Sequence, residues 1–447
     1  MNRIIANPID KTDWQSIANE ILANAKTQGA TAAAVNTSIS SGLTADVRLG
    51  KVELLEHHRE KGVSIGVFFG QRTGSASTTD TRPEALHEAV LAACRIAKLT
   101  QEDPYAGLPD PDLMAKDYPD LDLYHPKAVF PEQAIEIALS CENLARAQDK
   151  RISNSEGASF TTHQGYSVYA NTHGFNGAYL NTSYSLSCAL IAGQGDDMQR
   201  DSGYTVARAM EDLGTPLDVA REAATRTVSR LGARRLTTRQ TPVIFEAPVA
   251  RTLISHLIGA ISGGNIYRKS SFLLDHVGQP ILPHFVHIYE EPHILRGLNS
   301  TPFDSEGVAT RKQNFIQEGI LQKYILSSYS ARKLGLQSTG NAGGVNNLFV
   351  KPNTEGLSAL MKQMNTGLVV TDLMGQGVNI MTGDYSRGAS GFWVENGEIQ
   401  YPVHEITIAG NLREMFKQII AIGHDIERRG NILTGSILLE NMMVAGE

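Results

Sequence analysis

Apolar residues recur at helical spacing over residues 13–26, where Trp14, Ile17, Ile21, Leu22 and Ala25 share a face and Gly29 follows as a stop. The pattern then shortens to β-type runs at 32–38, 43–49, 52–56 and 63–69, with Gly50-Lys51 and Gly62 as turn signals, which a meander or curled sheet would satisfy. Thr81-Arg82-Pro83-Glu84 opens a second helix, carried by Leu86, Val90, Cys94 and Ile96 to Leu99. Between 103 and 126, Pro104, Pro109, Pro111, Pro119 and Pro126 stand among Asp-rich turns, the composition of a surface linker. A second unit repeats the order: a helix over 131–148, strands over 159–162, 166–171 and 177–191, and a helix over 217–231. No fixed-period self-similarity accompanies the repeat, so duplication and coincidence both stay open. The remainder is rich in short β-runs and Gly turns. Pro248 starts a helix with Leu253, Ile254, Leu257, Ile258 and Ile261 on one face and Gly263-Gly264 as its expected end; a helix over 412–421 and a strand over 437–444 close the chain. The expected fold is α+β: a unit over 1–102, a linker over 103–126, a unit over 127–236, and a β-rich domain over 237–447.

Length supports this division, since 447 residues suffice for two or three domains with a sizeable core. Forty Lys+Arg against 47 Asp+Glu leave a net charge of -7, which repels nucleic acid and anionic membranes. The basic run Arg221, Arg226, Arg230, Arg234, Arg235 and Arg239 lacks interleaved aromatics and reads as a solvated face. No stretch has the ~20 apolar residues of a membrane span, and the start of the chain offers no secretory apolar region. Cys94, Cys141 and Cys188 make neither a disulfide framework nor a CxxC pair, a usage that suits a reducing cytoplasm.

Common catalytic signatures fail on inspection. His87-Glu88 and His404-Glu405 are followed by Leu91 and Ile408 where a zinc protease needs its second His, and His284 and His287 flank an expected strand on opposite faces. Gly388-Ala389-Ser390-Gly391 is one residue short of a nucleophile elbow, and Gly335 to Gly340 is followed by Asn341 instead of Lys. Asp304 and Glu306 are the one carboxylate pair that could serve an independent hydrolase, because i and i+2 share a face in a strand.

Five strings in order are more specific than any of these: 259–264 (GAISGG), 267–272 (YRKSSF), 301–307 (TPFDSEG), 382–397 (TGDYSRGASGFWVENG) and 405–412 (EITIAGNL). With 74–80 (GSASTTD) in the first unit, the chain resembles the PmbA/TldD family, and within it the PmbA (TldE) branch, over essentially its whole length. The resemblance implies a cytoplasmic two-subunit peptidase whose TldD-type subunit holds zinc through a His-Glu-x-x-x-His motif and a later Cys. Aligned on Gly259 and Gly264, this chain has Ser255, His256 and Ala260 at the motif positions, and no Cys follows Cys188. It is therefore expected to hold no metal and to have no catalytic residue of its own, with zinc in a TldD-like partner. His256, Arg268, Asp304, Glu306 and Arg387 are candidate substrate-binding residues. The implied role is to help enclose and bind unfolded peptide as part of a heterodimer. The alternative is a homodimeric peptide-binding or chaperone-like protein; neither reading involves nucleic acid or a membrane.

Overall fold

A computed structural model describes residues 13–446. Helix α1 (Trp14–Thr27) begins where the Asp13 carboxylate accepts the Ser16 amide at 3.1 Å, and it buries Trp14, Ala18, Ile21, Leu22 and Ala25. Strands β1 (Ala32–Arg48) and β2 (Lys51–Phe69) form one long hairpin, whose Leu49-Gly50 turn has φ of 49° and 76°, the left-handed geometry that matches strand twist. The four expected runs are thus two strands. The polar stretches taken for breaks keep their backbone ladder, because side-chain pattern reports burial and not pairing. Strand β3 (Arg72–Thr78) and helix α2 (Pro83–Leu99) follow. Gly74 lets α2 settle directly on β3: a Cβ there would stand 2.3 Å from the Ala93 carbonyl oxygen.

The second unit, α3 (Pro131–Ala147), β4 (Ile152–Asn171), β5 (Asn176–Ala192), β6 (Gln199–Ala207) and α4 (Pro216–Ser229), has the same order. Both units build one antiparallel sheet, β3-β2-β1-β4-β5-β6, joined at its centre by β1 and β4 from Ala34↔Asn171 to Val47↔Ala158. The repeat left open by the residues is therefore present as topology, two halves about an approximate two-fold at that pair. All four helices cover one face. Helices α1 and α2 pack on Val35, Ile39, Ile65 and Val67, and α3 and α4 on Leu43, Val47, Phe160 and Leu186. Buried Glu142 of α3 accepts the Leu49 and Gly50 amides at 2.7 and 2.9 Å, tying the first hairpin's turn to the second half. The alternation of β1 sends Asn36, Ser38 and Ser40 to the opposite, helix-free face.

The 103–126 segment is a strap packed across the joint between the halves of the chain. Leu108, Met114, Ala115, Leu121 and Leu123 are buried, and the Arg332 guanidinium donates to the carbonyls of Tyr105, Gly107 and Leu108 at 2.8, 2.7 and 2.9 Å. Prolines set its path, and the apolar residues between them hold it down.

The C-terminal region starts with β7 (Arg239–Phe245), which runs straight into α5 (Ala247–Ala260) with Pro248 in the first turn. Its main sheet has the order Glu398–Asn411, Asp384–Glu395, Gly367–Met374, β7, Ile437–Ala445 and Ile419–Ile422, and pairing of 407–409 with 443–445 closes the first five strands on themselves. Two expectations change here. Gly263-Gly264 does not end α5, which stops at Ala260; the pair opens the short helix α6 (Gly263–Tyr267), where a Cβ on Gly263 would lie 2.4 Å from Ser330 Oγ. The 412–421 helix is only Leu412–Lys417, and Ile419–Ile422 is a strand paired with Ile437–Leu439. Tertiary pairing overrides helical spacing there.

The basic run is a solvated face only in part, since Arg221, Arg234 and Arg235 are exposed. Arg226 of α4 and Arg230, which caps its C-terminus, both bind Asp201 at 3.1 Å, and they reach Glu246 and Asp372 of the C-terminal region at 3.3 and 3.4 Å. Arg234 lies over Tyr401 and Arg239 over Trp393, 4.7 and 5.0 Å from the ring centroids. The cluster is an ionic and aromatic seam between the two parts of the chain.

Candidate functional site

Helix α5 carries the three motif positions. Ser255 and Ala260, five residues apart, are ~140° apart around an ideal helix, and the structure puts Ser255 at the surface and Ala260 fully inside. The Ser255 hydroxyl donates to the Thr252 carbonyl at 2.7 Å, while the Ala260 carbonyl accepts from Ser271 Oγ at 2.6 Å. His256 lies between them in angle and is half-buried. Its ring meets Tyr385 edge-on, with centroids 6.0 Å apart, and its Nε2 is buried without a hydrogen-bond partner among the described residues. Burial, and then the charge of Arg387, holds the His256 imidazole below its usual range, so it is neutral at neutral pH. Burial pushes the Tyr385 hydroxyl up to about 12.

The other sequence candidates are scattered. Arg268 is exposed and lies over Tyr267, 5.2 Å from the ring centroid. Arg387 donates to the carbonyls of Gly375 and Leu373 at 3.0 and 3.4 Å. Asp304 and Glu306 occupy a turn instead of a strand. Buried Asp304 accepts the amides of Glu306, Val308 and Ala342, each at 2.9 Å, and Glu306 accepts the Ser328 amide at 2.9 Å. Both carboxylates are engaged in holding loops, which opposes the use of the pair as acid and base. Burial pushes Asp304 up to about 7 against the three amides that pull it down.

As a zinc-ligand set the motif positions offer one nitrogen donor, where catalytic sites use three protein ligands. The buried cysteines stand on α2, α3 and β5, away from α5 in the chain's architecture. Among the described residues no group of three His, Cys, Asp or Glu could hold a metal ion. The zinc implied by the resemblance does not fit these residues.

Sequence reasoning missed a concave polar site. A cavity of about 390 Å³ separates the helix-free sheet face from loops of the C-terminal region, walled by Asn36 and Ser38 of β1, Ser167 of β4, Asn181 of β5, Arg208, and the loops near 298–305 and 342–346. The signal in the sequence was weak: Asn36, Ser38 and Ser40 share one strand face, but Thr37 and Ser41 are also polar and blur the alternation of β1.

Comparison with known proteins places the whole chain. Three domain models match in order: PmbA/TldA metallopeptidase domain 1 over residues 35–97, the central domain over 124–231 and the C-terminal domain over 238–446. A "Metalloprotease PmbA" of Escherichia coli O157:H7 is 52% identical over 426 residues, covering 95% of this chain and 94% of the relative. A homologue from Haemophilus influenzae is 53% identical, covering 94% and 93% of the two chains. A solved protein of Bacteroides thetaiotaomicron, whose name links it to modulation of DNA gyrase, superposes with a TM-score of 0.92 at 27% identity, over 98% of this chain and all of that one. TldE from Thermococcus kodakarensis shares the fold, with a TM-score of 0.83 at 22% identity over 96% of this chain and all of that one.

Proposed function

The chain belongs to the PmbA/TldD metallopeptidase family, and on that premise we propose that it is the zinc-free, TldE-type subunit of a cytoplasmic two-subunit peptidase. The observation that carries the proposal is the occupancy of α5, one imidazole between a surface hydroxyl and a buried methyl. A TldD-like partner then supplies the zinc, which lowers the pKa of its bound water and polarises the scissile carbonyl. This chain contributes a wall. Its helix-free sheet face and the loops above it present amides and hydroxyls that suit an extended backbone and favour no particular side chain.

Mixing tests the proposal. The purified chain should leave an unstructured peptide intact, and adding a TldD-like subunit should produce cleavage that a chelator abolishes. Chelator-resistant cleavage by the lone chain would overturn it. The polar cavity also supports a second reading, a homodimer that binds peptide without an enzymatic partner; tight peptide binding by the lone chain, unchanged by a TldD-like subunit that forms no complex with it, would favour that one.

A further inference from the structure

Arg208 is a largely buried guanidinium without an acidic partner. It donates to the carbonyls of Thr182, Gly297 and Leu298 at 3.1, 3.3 and 2.5 Å, stapling β5 to a loop of the C-terminal region. Those bonds use three of the five N–H groups of a guanidinium. Carbonyl dipoles solvate the charge but leave it uncancelled, and no carboxylate lies within ion-pair distance among the described residues. Arg226 and Arg230, by contrast, pair with Asp201, Glu246 and Asp372, while Arg332 meets only carbonyls but braces the strap. Arg208 differs in forming part of a cavity wall.

The wall around it is chemically consistent. The side chains of Asn36, Ser38, Ser167 and Asn181 line the same cavity without hydrogen bonds to other described residues. They provide neutral donors beside one cation. His163, on the same face of the sheet, is held below its usual range by burial, His58 and Arg208 against an opposing pull from Glu60, which disfavours a second cation there. Asp304, the one acidic group in the wall, already faces three backbone amides. One fixed positive charge among neutral donors matches a singly charged planar oxyanion better than a phosphate, which calls for several cations.

We infer that the cavity between the helix-free sheet face and the C-terminal loops is a carboxylate subsite, with Arg208 as its counter-ion. The inference rests on the reading that this chain holds peptide, and it names which peptide group is anchored: a C-terminal carboxylate or an Asp/Glu side chain.

Two probes separate the inference from that reading. N-acetylglycine and its amide, titrated into the full-length chain by NMR, report on the subsite without any peptide. An unstructured neutral peptide is then compared in three forms: free C-terminus, amidated C-terminus, and amidated with one internal Glu. The acid should bind roughly tenfold tighter than the amide, the scale of a charge-assisted bond. A gain restored by the internal Glu assigns the side chain as a source; one confined to the free terminus assigns the C-terminus. Arg208→Met should erase the preference, and Arg208→Lys should keep part of it. Because Arg208→Met also removes the staple, Asn181→Asp serves as a second variant: it leaves the staple in place and puts a carboxylate into the same cavity wall, and should abolish the preference as well. Equal binding of acid and amide by the unaltered chain overturns the inference. Acid-selective N-acetylglycine binding without any peptide binding supports the subsite and overturns the peptide-holding reading alone.

Discussion

His256 and Tyr385 meet edge-on, with ring centroids 6.0 Å apart and planes at 71°, and the two polar atoms that could have paired, His256 Nε2 and the Tyr385 hydroxyl, are both buried without a hydrogen-bond partner among the described residues. A buried hydroxyl without a well-formed hydrogen bond costs its desolvation, which the neighbouring Arg387 offsets only in part. Tyr385→Phe should therefore leave stability unchanged or raise it by up to ~1 kcal/mol, read as a shift in urea midpoint at constant slope. A loss larger than that would mean the hydroxyl is bonded in solution.

Asp304 sets burial against three amide donors, and the pH dependence of stability reports which prevails. With its carboxyl raised to about 7 from an unfolded value of ~3.9, the folded state holds a proton that the unfolded state has released. The stabilisation is then fully present below the unfolded value and is lost as pH rises through about 7. Relative to Asp304→Asn, the unaltered protein should lose stability between roughly pH 4 and 7. The opposite slope would show that the amides win.

Purified protein should contain well under one zinc per chain by elemental analysis. The triple change Ser255→His, His256→Glu and Ala260→His should not create a working site. Two imidazoles fall short of three ligands, and Ala260 is fully buried, so a histidine there overpacks the core at a cost of about 1–3 kcal/mol. Ser255→His alone, at an exposed position, should be well tolerated. Turnover by the triple variant would show that a further ligand already exists in the chain.

Asp201 serves two arginines at once. Asp201→Asn leaves both guanidiniums in a partly buried seam with less compensation and should cost roughly 2–4 kcal/mol after discounting for partial exposure. Because Arg226 and Arg230 also bridge to Glu246 and Asp372, urea unfolding should separate toward two transitions. A single transition with an unchanged midpoint would show that the seam contributes nothing.

Local signals carried the helices well: Asp13, Pro83, Pro131 and Pro248 mark starts that the structure keeps. The α+β class and the β-rich C-terminal region were legible for the same reason, since periodicity reports which face is buried. Strand length was not legible, because Ser40, His57 and His58 interrupt the apolar pattern without interrupting the ladder. Nor was the role of the basic run, whose partners Asp201, Glu246 and Asp372 come from other elements. The motif positions on α5 were found through resemblance. Arg208 escaped because nothing local distinguishes an arginine that meets only carbonyls from one that meets a carboxylate.

The central pairing of the N-terminal sheet joins Ala34 to Asn171, partners more than a hundred positions apart. At ~5–20 residues per second of synthesis, a ribosome needs several seconds after making β1 before β4 exists to meet it. During that interval the β1–β2 hairpin has a bare inner edge, and Glu142, which secures its turn, has not been joined to the chain for most of the wait. The first half of this protein should therefore be a transient client for chaperones at the exit tunnel, and its aggregation during expression should depend on translation speed between β1 and β4 more than on any substitution in the finished core.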